Sequence, residues 1–313
     1  MRAFVFPGQG AQRVGMGQAL YEAFPAAREV FTRVDTALSE SLSRLIFHGP
    51  QETLTETCHA QPALMTVSLA VVAVLEKEGG FSLTQNSAYG AGHSLGEYSA
   101  LAAFGASSLE DTAQLLRLRG TAMSQAVSPQ IGGMCAVLGL ERTVVQRIAD
   151  QAAVEGVCVL ANDNCPGQIV LSGEKKALDV ATGYALEQGA RRVIPLEVSA
   201  PFHSPMMAPA QEAMKAAFAR FPLKDPARPL VSNVTAEAVE KGMFLEDLLV
   251  QQVTHCVRWT ESILYLAAQG VTHCIEVGAG AVLTGLIRRI VPSMRLSTLN
   301  TPKDIEQFLK DNT

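Results

Sequence analysis

The 313-residue sequence contains six cysteines but no C-x-x-C pair. Cys58, Cys135, Cys158, Cys165, Cys256 and Cys274 are scattered, which excludes a disulfide-stapled scaffold and leaves reduced core thiols as the expectation. The doublets His255-Cys256 and His273-Cys274 do not change this, because neighbours on a strand point to opposite faces and rarely hold one metal together. No metal site is expected. Basic residues are not in excess: 25 Lys and Arg stand against 30 Asp and Glu, a formal net charge of -5. With no local basic stripe either, nucleic-acid binding is set aside. Long apolar runs are also missing. The longest, Pro62 to Leu75, is shorter than the roughly 20 residues that cross a bilayer and carries Thr66 and Ser68, so it reads as a buried helix and no membrane partner is expected. The amino end has one arginine and an apolar run cut off by Pro7 and Gly8, too brief for a signal-peptide core; a cytoplasmic chain is expected. There is no internal repeat or low-complexity tract, and the nearest thing to a linker, around Pro222, Pro226 and Pro229, is stiff rather than flexible.

What is present reads as an α/β chain. "RAFVF" is a short buried strand rich in aromatic and β-branched residues. After the loop "PGQGAQRVGMG", helical periodicity runs from Gln18, broken near Pro25, and again from Gln61 to the glycine pair Gly79-Gly80. "SAYGAG" is a strand delivering Ser94, followed by helices from about Leu95 and from Leu109 to Ala126. Between Gly132 and Leu196 six elements alternate as β-α-β-β-α-β, the split pattern of a ferredoxin-like unit. Beyond it "LVSNV" and "HCIEVG" read as strands, with helices over "ESILYLAAQ" and "AVLTGLIRRI". The expected architecture is a large α/β-hydrolase-like domain with a mostly parallel sheet, residues 1–128 and 197–313, carrying an inserted ferredoxin-like βαββαβ subdomain, residues 129–196.

Ser94 stands in Gly92-His93-Ser94-Leu95-Gly96, a G-x-S-x-G pattern that fits a sharp strand-to-helix turn exposing a hydroxyl. A serine needs a base to act as nucleophile. His93 adjoins it but points away and braces the turn, whereas His203, in a loop bracketed by Pro201 and Pro205, is placed where function concentrates. An oxyanion formed on attack would meet the backbone N–H of Leu95 at the start of the next helix. The glycines of "PGQG" would let a second donor approach. These spacings are equally compatible with a tight turn and a helix cap of no catalytic role.

Six motifs in order resolve that ambiguity. "FPGQGAQ", "QPAL" from Gln61, "GHSLGEYSAL", "LRG" from Leu118, "SAPFHSPMM" and "EVGAGAVLTGL" resemble the malonyl-CoA:acyl carrier protein transacylase family of bacterial type II fatty acid synthesis, from Phe6 to about Leu299. The resemblance implies an acyltransferase that moves malonyl from coenzyme A to the phosphopantetheine thiol of acyl carrier protein by a ping-pong mechanism. Ser94 would be acylated, His203 its base, and Leu95 N–H with Gln9 the oxyanion hole. The histidine would be oriented by the backbone carbonyl of Gln252, and Arg119 would clamp the malonyl carboxylate. Gln61, His93 and Phe202 would line the substrate site, Phe202 crowding a branch on the α-carbon. No cofactor is implied beyond the substrate malonyl-CoA, and the phosphopantetheine belongs to the carrier. The chain departs from the family at "VTHCVRW", where many relatives have Asn-Pro before the valine, and at Ala279, where they have proline.

Three other readings share parts of this pattern. A serine hydrolase would use the same serine and base but has no need of Arg119. A malonyl acyltransferase of polyketide synthesis or malonate decarboxylation shares every motif. An inactive carrier-docking subunit would lack at least one of Ser94, His203 or the glycines at the elbow, and none is missing. An acidic carrier meeting a chain of net charge -5 needs a local basic patch; Arg288-Arg289 is the first candidate and Lys175-Lys176 the second. A monomer is expected.

Overall fold

The structure, a computed structural model, describes residues 1–312. Among them ten strands form two sheets: β1 Arg2–Phe6, β2 Tyr89–Gly92, β3 Gly132–Leu138, β4 Cys158–Cys165, β5 Gln168–Glu174, β6 Arg192–Pro195, β7 Leu230–Val231, β8 Ala238–Val239, β9 His273–Val277 and β10 Arg295–Leu299. The larger sheet has the order β10-β9-β1-β2-β7-β8. Its strands are parallel from β10 to β7, with β8 antiparallel at one edge.

Strand periodicity explains how this sheet buries both faces. Phe4 and Phe6 of β1 point into one core, shared with the helices Pro25–Leu38, Thr57–Ala73 and Leu109–Ala126, while Ala3 and Val5 enter a second core with Trp259, Ile263, Leu283 and Ile287. The central strand β1 reads as a continuous apolar run because neither of its faces meets water.

The smaller sheet, β4-β5-β3-β6, is antiparallel throughout. Its helices Arg142–Ala152 and Lys175–Glu187 cover one face with Val145, Ile148, Ala177 and Ala181. The strand order is that of the ferredoxin-like unit expected from the sequence, and β3 to β6 lie within residues 129–196. The other face contributes Met134, Ala161 and Val170 to the large core, so the subdomain is sandwiched rather than suspended.

The long apolar helix differs from its expected extent. It begins at Thr57, ahead of Pro62, and continues from Val74 to Glu78 as a π-helical turn. At 22 residues it is long and apolar enough to cross a membrane, yet most of it is buried inside the protein; its uniform hydrophobicity reflects a position at the centre of the larger core. "LVSNV" is strand only to Val231. His255 and Cys256 lie in a connection, not on a strand. The short helices Leu42–His48 and Gln51–Thr55, the helix Gly242–Gln252, the carboxyl-terminal helix Pro302–Lys310 and strands β8 and β10 have no counterpart in the sequence reading. Helices of one or two turns are too short to be stable alone and form here by burying Leu42, Ile46 and Leu54.

Parallel strands place their carboxyl ends on one edge, where open α/β sheets collect ligands. The segments after β1, β2 and β7 therefore converge, bringing Gln9, Ser94 and Asn233 together from distant stretches of sequence. Convergence demands close backbone contact. A Cβ on Gly96 would lie 2.1 Å from the Phe6 carbonyl oxygen, and one on Gly92 1.9 Å from the Gly96 carbonyl carbon. Gly96→Ala is accordingly expected to lower the unfolding free energy by about 3 kcal/mol or more, whereas Gly183→Ala, exposed in a helix with nothing within 4 Å of its Cβ, is expected to raise it by roughly 0.5–1 kcal/mol. Urea denaturation of both variants checks the contrast, and a small loss at Gly96 would mean that the turn can relax around a methyl.

Candidate active site

Ser94 occupies the turn between β2 and the helix Leu95–Ala103 with φ 53° and ψ -111°. A non-glycine residue in such a conformation costs about 1–3 kcal/mol and persists only where its surroundings hold it. Asn233 does so from two sides: its Oδ1 accepts from Ser94 N–H at 2.7 Å, and its Nδ2 donates to the Gly92 carbonyl at 2.7 Å.

Ser94 Oγ lies 2.8 Å from His203 Nε2. The other ring nitrogen, Nδ1, donates to the backbone carbonyl of Gln252 at 2.8 Å, which fixes the tautomer that leaves Nε2 free to accept the serine proton. Gln252 is the last residue of its helix, where carbonyls lack intrahelical partners, so the acceptor arises from the helix end itself. Burial, reinforced by the nearby Arg119 cation, pushes the His203 pKa down to about 3. The imidazole is therefore a neutral base throughout the ordinary pH range.

Arg119 is fully buried. Its Nη1 donates to Gln61 Oε1 at 2.8 Å, and its Nη2 donates to Gln252 Oε1 at 2.8 Å and to Ser94 Oγ at 3.1 Å. The guanidinium also lies over the Tyr98 ring, 5.3 Å from its centroid. Among the described residues it has no carboxylate partner in an ion pair. The Gln252 amide completes the network by donating from Nε2 to the Ser94 carbonyl at 3.1 Å and to Glu97 Oε2 at 2.7 Å.

A cleft of about 280 Å³ opens beside Ser94, lined among others by Gln9, Gln61, His93, Leu95, Arg119 and Phe202. Leu95 begins the helix, so its N–H has no helical acceptor and is available to the cleft. Gly8 sits where a Cβ would touch the His93 carbonyl at 2.7 Å, which seats the Gln9 loop against the turn. His93 does brace that turn: its Nε2 bonds to Asn164 Oδ1 of β4 at 2.8 Å, and its ring tilts against Trp259. Burial lowers its pKa.

The structure thus brings together Ser94, His203, Gln252, Arg119, Gln61, Gln9, Leu95, His93 and Phe202, and places Arg288 and Arg289 elsewhere, exposed on the helix Val282–Ile290. Arg289 is occupied there, donating to the Pro166 carbonyl and, at 3.1 Å, to Gln168 Oε1. Lys176 pairs with Glu155. Glu97, Asn164, Asn233 and the side chain of Gln252 were not singled out from sequence. Glu97 left a signal, a charge in the otherwise apolar helix after Ser94; Asn233 left none, being an ordinary polar residue beyond a strand.

If His203 is the base, acylation of Ser94 by an uncharged ester such as p-nitrophenyl acetate is expected to keep its rate within about twofold from pH 7 to pH 5. An imidazole of ordinary pKa would lose about twenty-fivefold over that range, and a stopped-flow measurement showing such a loss would contradict a base held neutral by burial.

Residues 3–304 match the acyl transferase domain family. The malonyl CoA-acyl carrier protein transacylase of Bacillus subtilis is 45% identical over 313 residues, covering 99% of this chain and 97% of the relative. That of Escherichia coli K12 is 41% identical, covering 98% of each. Among solved structures, the acyl-carrier-protein-S-malonyltransferase of Bartonella henselae superposes with a TM-score of 0.97 at 50% identity, covering 99% of this chain and 98% of that one. A malonyl-transacylase in complex with a type II polyketide synthase acyl-carrier protein superposes with a TM-score of 0.95 at 35% identity, covering 99% of both. With this match in sequence and shape over nearly its whole length, the chain belongs to the malonyl CoA-acyl carrier protein transacylase family.

Proposed function

We propose that the chain transfers malonyl from coenzyme A to the phosphopantetheine thiol of acyl carrier protein through an ester on Ser94. The observation that carries this mechanism is the triangle at Ser94 Oγ, with His203 Nε2 at 2.8 Å and Arg119 Nη2 at 3.1 Å. One neighbour activates the hydroxyl, and the other is a buried cation suited to a carboxylate.

In the first half-reaction Ser94 Oγ attacks the thioester carbonyl while His203 Nε2 takes its proton. The oxyanion is stabilised by the Leu95 N–H and by Gln9. Collapse expels the coenzyme A thiolate, which recovers the proton from His203. In the second half-reaction the carrier thiol gives its proton to His203 and attacks the Ser94 ester, and the serine leaves reprotonated. Arg119 holds the malonyl carboxylate with its planar fork, keeping the acyl group in one orientation through both steps. Gln61 positions that fork, and Phe202 crowds substituents on the α-carbon. A plain acyl hydrolase has no use for a cation buried at this place. We also propose that Arg288 is the basic contact for an acidic carrier, since Arg289 and Lys176 already have partners.

Intact-protein mass spectrometry tests the reading: malonyl-CoA is expected to leave one malonyl group on the protein, and added holo carrier protein to remove it. Ser94→Ala should abolish the adduct and His203→Ala should slow its formation by several orders of magnitude, because nucleophile and base act as a unit. A Ser94→Ala protein that still carries the adduct would end the assignment. For Arg119→Ala, kcat/KM for malonyl-CoA is expected to fall by about a hundredfold or more relative to acetyl-CoA, the scale of losing a charge-assisted hydrogen-bonded pair; an unchanged ratio would place the carboxylate elsewhere.

A further inference from the structure

Glu97 is a buried carboxylate that the mechanism above does not use. It lies three residues after the nucleophile, on the helix Leu95–Ala103, and is shielded from solvent as completely as Arg119. Its Oε2 accepts from Gln252 Nε2 at 2.7 Å and from the Asn233 N–H at 3.2 Å, while its Oε1 has no partner among the described residues. Gln252 passes the connection on: the same amide that donates to Glu97 accepts from Arg119 Nη2 at 2.8 Å. Carboxylate, amide and guanidinium form one relay beneath Ser94; burial works against the Arg119 cation, while the Tyr98 phenol and the Glu97 carboxylate both favour it, Glu97 being the carboxylate of the two.

A buried cation and a buried anion joined in this way balance one another, and a second anion upsets the balance. On the reading that Ser94 is loaded with malonyl, the incoming carboxylate is that second anion. We propose that Glu97 is the resident counter-charge of Arg119 and takes up a proton when the malonyl carboxylate reaches that guanidinium. Loading then consumes malonyl thioester, the Ser94 hydroxyl, the Glu97 carboxylate and one solvent proton, and yields the Ser94 malonyl ester, coenzyme A thiol and the neutral Glu97 acid. Transfer to the carrier returns the proton to solvent. Oε1 is the oxygen that accepts it, so both hydrogen bonds to Oε2 survive and the Gln252 amide stays in place.

The groups around Glu97 leave it free to respond. Burial raises its pKa to about 7, against the opposing pull of its hydrogen bonds and of Arg119. The titratable groups facing it are Arg119 from the helix Leu109–Ala126 and Tyr98 beside it, whose phenol is pushed upward by burial. His203, across Ser94, stays neutral above about pH 3, and burial lowers the pKa of His93 as well. Between pH 6 and 9 only Glu97 in this cluster changes charge. Because its folded pKa is raised, it is neutral below about 7 and ionised above, so malonyl is accepted most readily on the acid side.

The test compares acylation of Ser94 by malonyl-CoA and acetyl-CoA from pH 6.5 to 8.5. Their ratio of kcat/KM cancels the titration of His203 and of the coenzyme A phosphates. In the wild-type protein this ratio is expected to fall by about tenfold or more across the range, approaching tenfold per pH unit. In Glu97→Gln, a neutral residue that keeps an acceptor for Gln252, the ratio is expected to stay within about twofold. Calorimetry of wild-type acylation at pH 8, in buffers of different ionisation enthalpy, should register proton uptake with malonyl-CoA and none with acetyl-CoA. A flat wild-type ratio while the malonyl ester forms on Ser94 overturns the role of Glu97 and leaves the transfer mechanism standing, and this outcome needs no variant to fold. Absence of any malonyl ester sinks the malonyl reading itself, and the proposal with it.

Discussion

The hydrogen bond from His203 Nδ1 to the carbonyl of Gln252 is the contact on which the site depends. A serine-histidine pair needs something to fix the imidazole tautomer, and a helix end supplies it without any acid. The last carbonyls of a helix lack partners and lie at its negative pole, which favours the imidazolium that forms as the serine gives up its proton. The same residue then reaches through its side chain to Arg119, Glu97 and the Ser94 carbonyl. Base, clamp and nucleophile are thereby tied to one short segment of backbone, so a shift of that helix end disturbs all three together.

Around this contact the fold sustains strain. Ser94 and His203 both have positive φ, at 53° and 56°, conformations that L-residues enter only under constraint. The constraint on Ser94 is the Asn233 side chain on one side and the packing of Gly92, Gly96 and Phe6 on the other. Two reacting groups held off their preferred backbone basins are presented to each other at 2.8 Å, and little reorganisation is needed for proton transfer. Burial completes the effect by keeping His203 neutral.

The small subdomain is part of the active site and not an appendage. Asn164 on β4 holds His93, the Asp163 N–H bonds to the Val257 carbonyl, and Arg289 reaches back to Pro166 and Gln168. Met134 and Phe202, from different sides of the junction, line the same cleft. The junction thus shapes the cleft beside Ser94.

Local chemistry was legible in the sequence wherever it is carried by adjacent residues. Glycines flanking Ser94, the apolar strand Arg2–Phe6, the β-α-β-β-α-β order after Gly132 and the alternation of helices and strands each follow from steric freedom or hydrophobic period, and these properties do not need the rest of the chain. The six ordered motifs, read as a resemblance, added the partners of Ser94. Tertiary structure alone decided the rest. Without that resemblance Arg119 reads as a solvated face of an amphipathic helix, and only the packing of that helix against Thr57–Ala73, with Gly120 tight against Thr57 and Cys58, drives the guanidinium inward. Asn233, Asn164 and the Glu97–Gln252 relay depend on loops that meet at the carboxyl edge of a parallel sheet. No local pattern records such meetings, because the residues involved are separated by 71 to 155 positions and are joined only by the order in which the strands assemble.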